Sequence, residues 1–137
     1  MGASAVIRYL VDTNTVIHWI NHSQAALVRR MVAQHRLIGL SSIVAHELFF
    51  GAFNGTRQRA TLEAIAAIRF PRLDFDDVDA RVAGEVRAVL KRIGTPIGPY
   101  DILLAGQAMA RDLTLVTNNV REFQRVDGLR LEDWTTA

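Results

Sequence analysis

Ile7-Arg8-Tyr9-Leu10-Val11-Asp12-Thr13-Asn14 opens as a short, mostly apolar run of the kind that makes a buried strand, and it ends abruptly in three polar side chains. In open α/β sheets, ligands bind just outside the carboxyl ends of the parallel strands, where loops converge. An acid one residue past such a run stands where chemistry is usually done. With histidine counted as neutral, Asp12 is the only charged residue from Tyr9 to Val28.

The pattern returns twice. Glu47 is the only charge between Leu37 and Thr56, and Asp101 the only charge between Ile93 and Ala110. Burying a lone carboxylate costs several kcal/mol unless it is paired, hydrogen-bonded or bound to a metal. One such residue is ordinarily a helix cap or a hydrogen-bonded core acid. Three of them, all at helix or strand ends, point to a shared site with a cation in it.

A chain of 137 residues, half of them apolar, is long enough for one domain with a real core, spanning 1–137. No apolar run approaches the roughly 18 residues of a membrane span, and the N-terminus lacks a signal-peptide layout. The absence of cysteine excludes disulfides and thiolate metal sites, and it fits a cytoplasmic protein. Net charge is +2, and every basic residue but Lys91 is arginine. The arginine fork suits phosphate, although a GC-rich coding sequence produces the same bias.

Read in order, strand one covers Val6–Val11, and Thr13 or Asn14 caps a helix through Val16, Ile17, Trp19 and Ile20. Ser23 reads as the N-cap of a second helix with Ala26, Leu27, Met31 and Val32 as its apolar stripe. His18 and His22 have zinc-compatible spacing, but no third ligand is evident, so they read as surface or capping residues. Leu37–Leu40 is a second strand, after which Ser41 or Ser42 caps a helix over Ile43–Phe53 that Asn54-Gly55 stops. On it, Glu47 has Ile43, Phe50 and Gly51 as face neighbours and so looks inward or into a cleft. A helix over Thr56–Ile68 completes a helical pair projecting from the sheet, a natural surface for self-association or partner binding.

Arg72–Phe75 is the next strand candidate. The acidic run that follows reads as a helix start, with Asp76 as N-cap and Asp79 at the third helical position, rather than a second metal site. That helix reaches about Ile93 with Val78, Val82, Val86, Val89, Leu90 and Ile93 at helical spacing, and Glu85 stays on its solvated face. In Gly94-Thr95-Pro96-Ile97-Gly98-Pro99-Tyr100-Asp101, Pro99 fits a first helical turn and places Asp101 at a helix N-terminus. The residues after it are apolar nearly all round, so that helix is buried. Leu113–Thr117 is a buried strand ending in Asn118-Asn119. Arg121-Glu122-Phe123 makes a short helix or turn, and Leu129–Leu131 an edge strand. Alternating short strands and helices give an α/β fold: a short central parallel sheet with helices on both faces.

With the strand ends at one edge, Asp12, Glu47, Asp101 and the Asn118/Asn119/Glu122 corner can converge. All-oxygen ligands favour Mg²⁺ or Mn²⁺ over Zn²⁺, and such pockets commonly hydrolyse phosphate esters.

The motifs then take on a family likeness. Val11-Asp12-Thr13-Asn14, Ser41-Ser42 leading to Glu47-Leu48 and Gly51-Ala52, Pro96-Ile97-Gly98 with Asp101 and Ala105, and Leu115-Val116-Thr117-Asn118-Asn119 with Glu122-Phe123 resemble the PIN-domain pattern. Gly128-Leu129 and the ending Glu132-Asp133-Trp134 extend the likeness to the VapC toxins of bacterial type II toxin–antitoxin systems, nearly end to end and in the same order. The resemblance implies a PIN-like three-layer fold and a Mg²⁺- or Mn²⁺-dependent endoribonuclease. It also implies a homodimer held inactive by a VapB-type antitoxin, with tRNA or another structured RNA as substrate. Asp12 and Asp101 match the principal metal ligands and Glu47 the third acid, while Thr13 and Thr117 would orient the carboxylates. The departure is at the fourth acid, where this chain has Asn118 and Asn119; Asn119 or the nearby Glu122 is left to fill that place. The rival reading is a PIN fold that binds RNA or a partner without cutting.

Overall fold

The computed structural model describes residues 6–136, so residues 1–5 and 137 of the expected 1–137 domain lie outside the described residues. Five short parallel strands form one sheet: β1 (Tyr9–Val11), β2 (Ile38–Ser41), β3 (Arg72–Leu73), β4 (Thr114–Val116) and β5 (Leu131–Glu132), in the order β3-β2-β1-β4-β5. Leu10 pairs with Gly39 on one side and with Leu115 on the other. The chain first builds outward from β1 through β2 to β3, then crosses over and builds the other way through β4 to β5. This reversal puts crossover helices on both faces and opens a crevice between the carboxyl ends of β1 and β4.

Among the described residues, seven α-helices surround the sheet: α1 (Thr13–Ile20), α2 (Ala25–Gln34), α3 (Ser42–Asn54), α4 (Gln58–Ala66), α5 (Asp77–Arg92), α6 (Pro99–Ala110) and α7 (Val120–Phe123). The central strands are buried on both faces, with Leu10, Val11, Ile38, Leu40, Leu115 and Val116 fully enclosed. Helix α6 is core as expected, burying Ile102 and every residue from Leu104 to Ala108. Pro99 stands at its start. Helix α4 packs chiefly on α3, forming the anticipated helical pair.

Several local expectations are corrected. Strand β1 starts at Tyr9, and Val6 is 71% exposed. The cap of α1 is Asp12 itself, whose carboxylate accepts from Thr15 N, rather than Thr13 or Asn14. Gln24, not Ser23, precedes α2, because the Ser23 hydroxyl is engaged with His18. The helix expected over Thr56–Ile68 is trimmed to Gln58–Ala66, and β3 and β5 are only two residues long.

The apolar stripe of α5 is only partly as expected: Leu90 is buried and Val86 packs against the core, but Val78, Val89 and Ile93 are exposed, and Asp79 and Ala83 take inward positions instead. The cause is the close approach of α6. A Cβ on Gly106 would stand 2.5 Å from the Ala83 Cα, so the contact line admits only small residues and pushes the larger ones outward.

Asp76 caps α5 with Asp79 in a reciprocal capping box, as the spacing predicts. Asp79 does more than cap. It is 1% exposed and receives Arg111 Nη2 at 3.0 Å, Arg111 Nε at 3.2 Å and Gln107 Nε2 at 3.3 Å. Burial pushes its carboxyl up, but the hydrogen bonds from Arg111 and the Asp76 backbone, and the Arg111 charge, hold it below the ordinary value.

Candidate active site

Asp12 leaves β1 at the strand reversal. Its Oδ1 accepts from Thr15 N at 2.8 Å, and its Oδ2 accepts from the buried Thr117 hydroxyl at 2.5 Å. Its own N–H donates to Val116 O, so the acid is bracketed by the ends of both central strands. Glu47 comes from the first half of α3, and its Oε1 accepts from the Thr13 hydroxyl at 2.7 Å. Asp101 lies in the first turn of α6, where the constrained loop delivers it. A Cβ at Gly98 would stand 3.0 Å from Oδ2 of Asp101, so this position is held by glycine for close approach to the carboxylate.

Glu122, on α7, joins the group. Its Oε1 accepts from Gly98 N at 2.8 Å and its Oε2 from Asn119 Nδ2 at 2.6 Å. The Asn119 amide is therefore turned to Glu122, while its backbone N–H donates to Thr117 Oγ1. The Gly98 contact is not legible from the Asn119-x-x-Glu122 spacing, because that N–H arrives from a loop distant in sequence.

The electrostatics show how these side chains converge. Burial, and then repulsion from Glu122, Glu47 and Asp12, together with a hydrogen bond to Glu122, push the Asp101 carboxyl up to about 6. The Gly98 N–H holds Glu122 below its ordinary value against the effect of burial, helped by Asn119, Asp101 and Arg125. Glu122, Glu47 and Asp12, from three other elements, thus all act on Asp101. Among the described residues, no group of three or more His, Cys, Asp and Glu side chains is gathered tightly enough to enclose a metal ion. Their chemistry nevertheless fits a hard divalent cation. Every donor is an oxygen, and the burial and repulsion that raise the Asp101 carboxyl are what such a cation offsets. His18 and His22 take no part; His18 Nδ1 pairs with Ser23.

Beside this site runs a groove of about 460 Å³ lined by Ile17, Ile20, Leu48, Arg57, Ala64 and Ile65, with Glu47 on its wall.

A short parallel sheet with acids gathered at its strand reversal defines a class, and the family model of the PIN domain matches residues 9–129. The chain belongs to the PIN domain family, and within it to the VapC ribonucleases. It is 38% identical over 131 residues to the tRNA(fMet)-specific endonuclease VapC of Salmonella typhimurium, covering 94% of this chain and 99% of that protein. It is 34% identical to Ribonuclease VapC2 of Rickettsia felis, covering 92% and 97%. Among solved structures, DNA-bound VapBC from Salmonella typhimurium superposes with a TM-score of 0.90 at 39% identity, covering 94% of this chain and 99% of that one. VapBC2 from Rickettsia felis bound to a promoter DNA fragment gives 0.87 at 31% identity, covering 93% and 99%.

Proposed function

We propose that the chain is a single PIN domain acting as a Mg²⁺- or Mn²⁺-dependent endoribonuclease toxin that hydrolyses phosphodiester bonds of RNA, tRNA being the substrate class that its Salmonella relative indicates. The observation that carries this is the convergence of Asp12, Glu47, Asp101 and Glu122 on the β1–β4 crevice. Asp12, Asp101 and Glu47 would hold the metal, and Glu122 rather than Asn119 stands in for the fourth acid. When bound, the ion would supply an activated water and neutralise charge developing on the leaving oxygen.

The chain's own residues pre-set the ligands. Thr117 and the Thr15 N–H fix both oxygens of Asp12, and Thr13 aims Glu47. Asn119 and the Gly98 N–H hold Glu122 ionised beside Asp101. Hydrogen bonds of this kind to ligating groups are commonly worth 10–100-fold in metal affinity or activity, by order of magnitude. As pH falls, Asp101 would take up a proton before Glu122, whose carboxyl is held lower.

A VapB-type antitoxin is the proposed partner, supported by likeness to VapBC complexes. The largely apolar groove ending at Glu47 suits an apolar antitoxin segment whose cationic side chain meets that acid. A homodimer is proposed through α3, whose Phe49, Phe50 and Phe53 are 42%, 64% and 61% exposed. No helix among the described residues is long and apolar enough to cross a membrane.

Expression of the intact chain alone should arrest growth and leave discrete tRNA fragments, and co-expression of a VapB-type partner should relieve both. Harmless expression with intact tRNA contradicts the reading.

A further inference from the structure

Two aromatic residues stand one position before two of the acids, His46 before Glu47 on α3 and Tyr100 before Asp101 on α6. Their rings meet across the two helices, with centroids 5.2 Å apart and planes tilted by 50°. His46 is exposed, and Tyr100 keeps 46% of its surface in solvent despite the contact. Neither ring is spent in the core, and the metal-ligand chemistry uses neither.

We infer that His46 and Tyr100 form a stacking shelf for a nucleobase of single-stranded RNA next to the bond being cut; this rests on the ribonuclease reading above. A phosphodiester held at the carboxylates carries a nucleoside on each side. The shelf is the aromatic surface nearest in sequence to both Glu47 and Asp101, on the two helices that present them. The site's own charge repels phosphate, so an uncharged handle on the substrate has particular value here. Stacking supplies one, accepts any base because every base has a π-face, and requires the base to be splayed out of a duplex. The shelf therefore selects unpaired segments rather than a particular sequence.

The test uses the full chain and a short single-stranded oligoribonucleotide carrying 2-aminopurine at each position in turn, in EDTA and with Ca²⁺ replacing Mg²⁺. Stacking on the shelf should quench the fluorescence at one or two adjacent positions. Tyr100→Ala should abolish that quench and weaken binding on the order of tenfold, with the salt dependence of binding unchanged because no phosphate contact is lost. Tyr100→Phe should restore both quench and affinity. Should Tyr100→Ala melt far below the intact chain, His46→Ala carries the same test.

Absence of a quench in the intact chain, or a quench and affinity unchanged in Tyr100→Ala, overturns the shelf. So does a loss that coincides with dissociation of a dimer in light scattering, which assigns the pair to contact between copies. Cleavage of total tRNA in Mg²⁺ is scored separately: quench without cleavage of tRNA overturns the nuclease reading and leaves base stacking standing, and cleavage without quench does the reverse.

Discussion

Thr117 and Asp12 join the two central strands across the point where strand order reverses, the threonine hydroxyl donating to Oδ2 of the acid at 2.5 Å. Both residues are buried. The bond ties together the ends of β1 and β4 and fixes the acid in one act, so the fold and the candidate site share a component. Thr117→Val keeps the shape and removes the donor. An unpaired buried acceptor costs about 1–3 kcal/mol, and the same change should lower Mn²⁺ affinity on the order of tenfold or more. Urea melts and a Mn²⁺ titration measure the two effects; unchanged values in both would show that Asp12 is positioned by Thr15 N alone.

Asp101 gives the metal-free protein a defined pH signature. Its carboxyl titrates at about 6, above its ordinary value of 3.8, so the native state binds the proton more tightly than the unfolded chain. Its contribution to stability is fully present below 3.8 and is lost as pH rises through about 6. In EDTA, the stability of the intact chain relative to Asp101→Asn should therefore fall as pH rises through that window. A difference independent of pH would contradict the burial of Asp101 beside the other acids that raises its carboxyl.

Asp79 behaves in the opposite sense. Its lowered pKa gives stability that is present above 3.8 and lost as pH falls through the folded value. Arg111→Met leaves this buried acid without its cation, a change that costs about 3–5 kcal/mol when a buried pair is broken. The cost should be largest at neutral pH and shrink in acid, where Asp79 takes up a proton. Chemical denaturation at two pH values measures it.

Two glycines in the α5–α6 pair should respond in opposite directions. Gly106→Ala drives a Cβ into the Ala83 backbone and should destabilise by about 1–3 kcal/mol. Gly84→Ala meets nothing within 4 Å on an exposed helix position and should stabilise by about 0.5–1 kcal/mol. Thermal melts of the two variants distinguish this close contact from a loosely packed one.

Asp12, Glu47 and Asp101 stood out in the sequence as candidates because each is the lone charge in an apolar stretch. A solitary acid there must have a partner or a purpose. The parallel sheet was legible for a related reason: strands buried on both faces read as apolar runs. That Asp12, a candidate site acid, is also the cap of α1 was not legible, since Thr13 and Asn14 are equally good caps by residue type. Glu122 stayed open because its position depends on the Gly98 N–H, which tertiary structure brings from 24 residues away. The face of α5 was misread because valine spacing carries no information about how near α6 lies, and that distance is set by Gly106 against Ala83.

The measurement that bears most directly on the central claim is incubation of the purified, antitoxin-free chain with total tRNA in Mg²⁺ and in EDTA, beside Asp101→Asn. The account expects discrete cuts in Mg²⁺ that vanish in EDTA and in the variant, while the variant keeps its fold. Cuts that persist in EDTA, or in a folded Asp101→Asn, would contradict it.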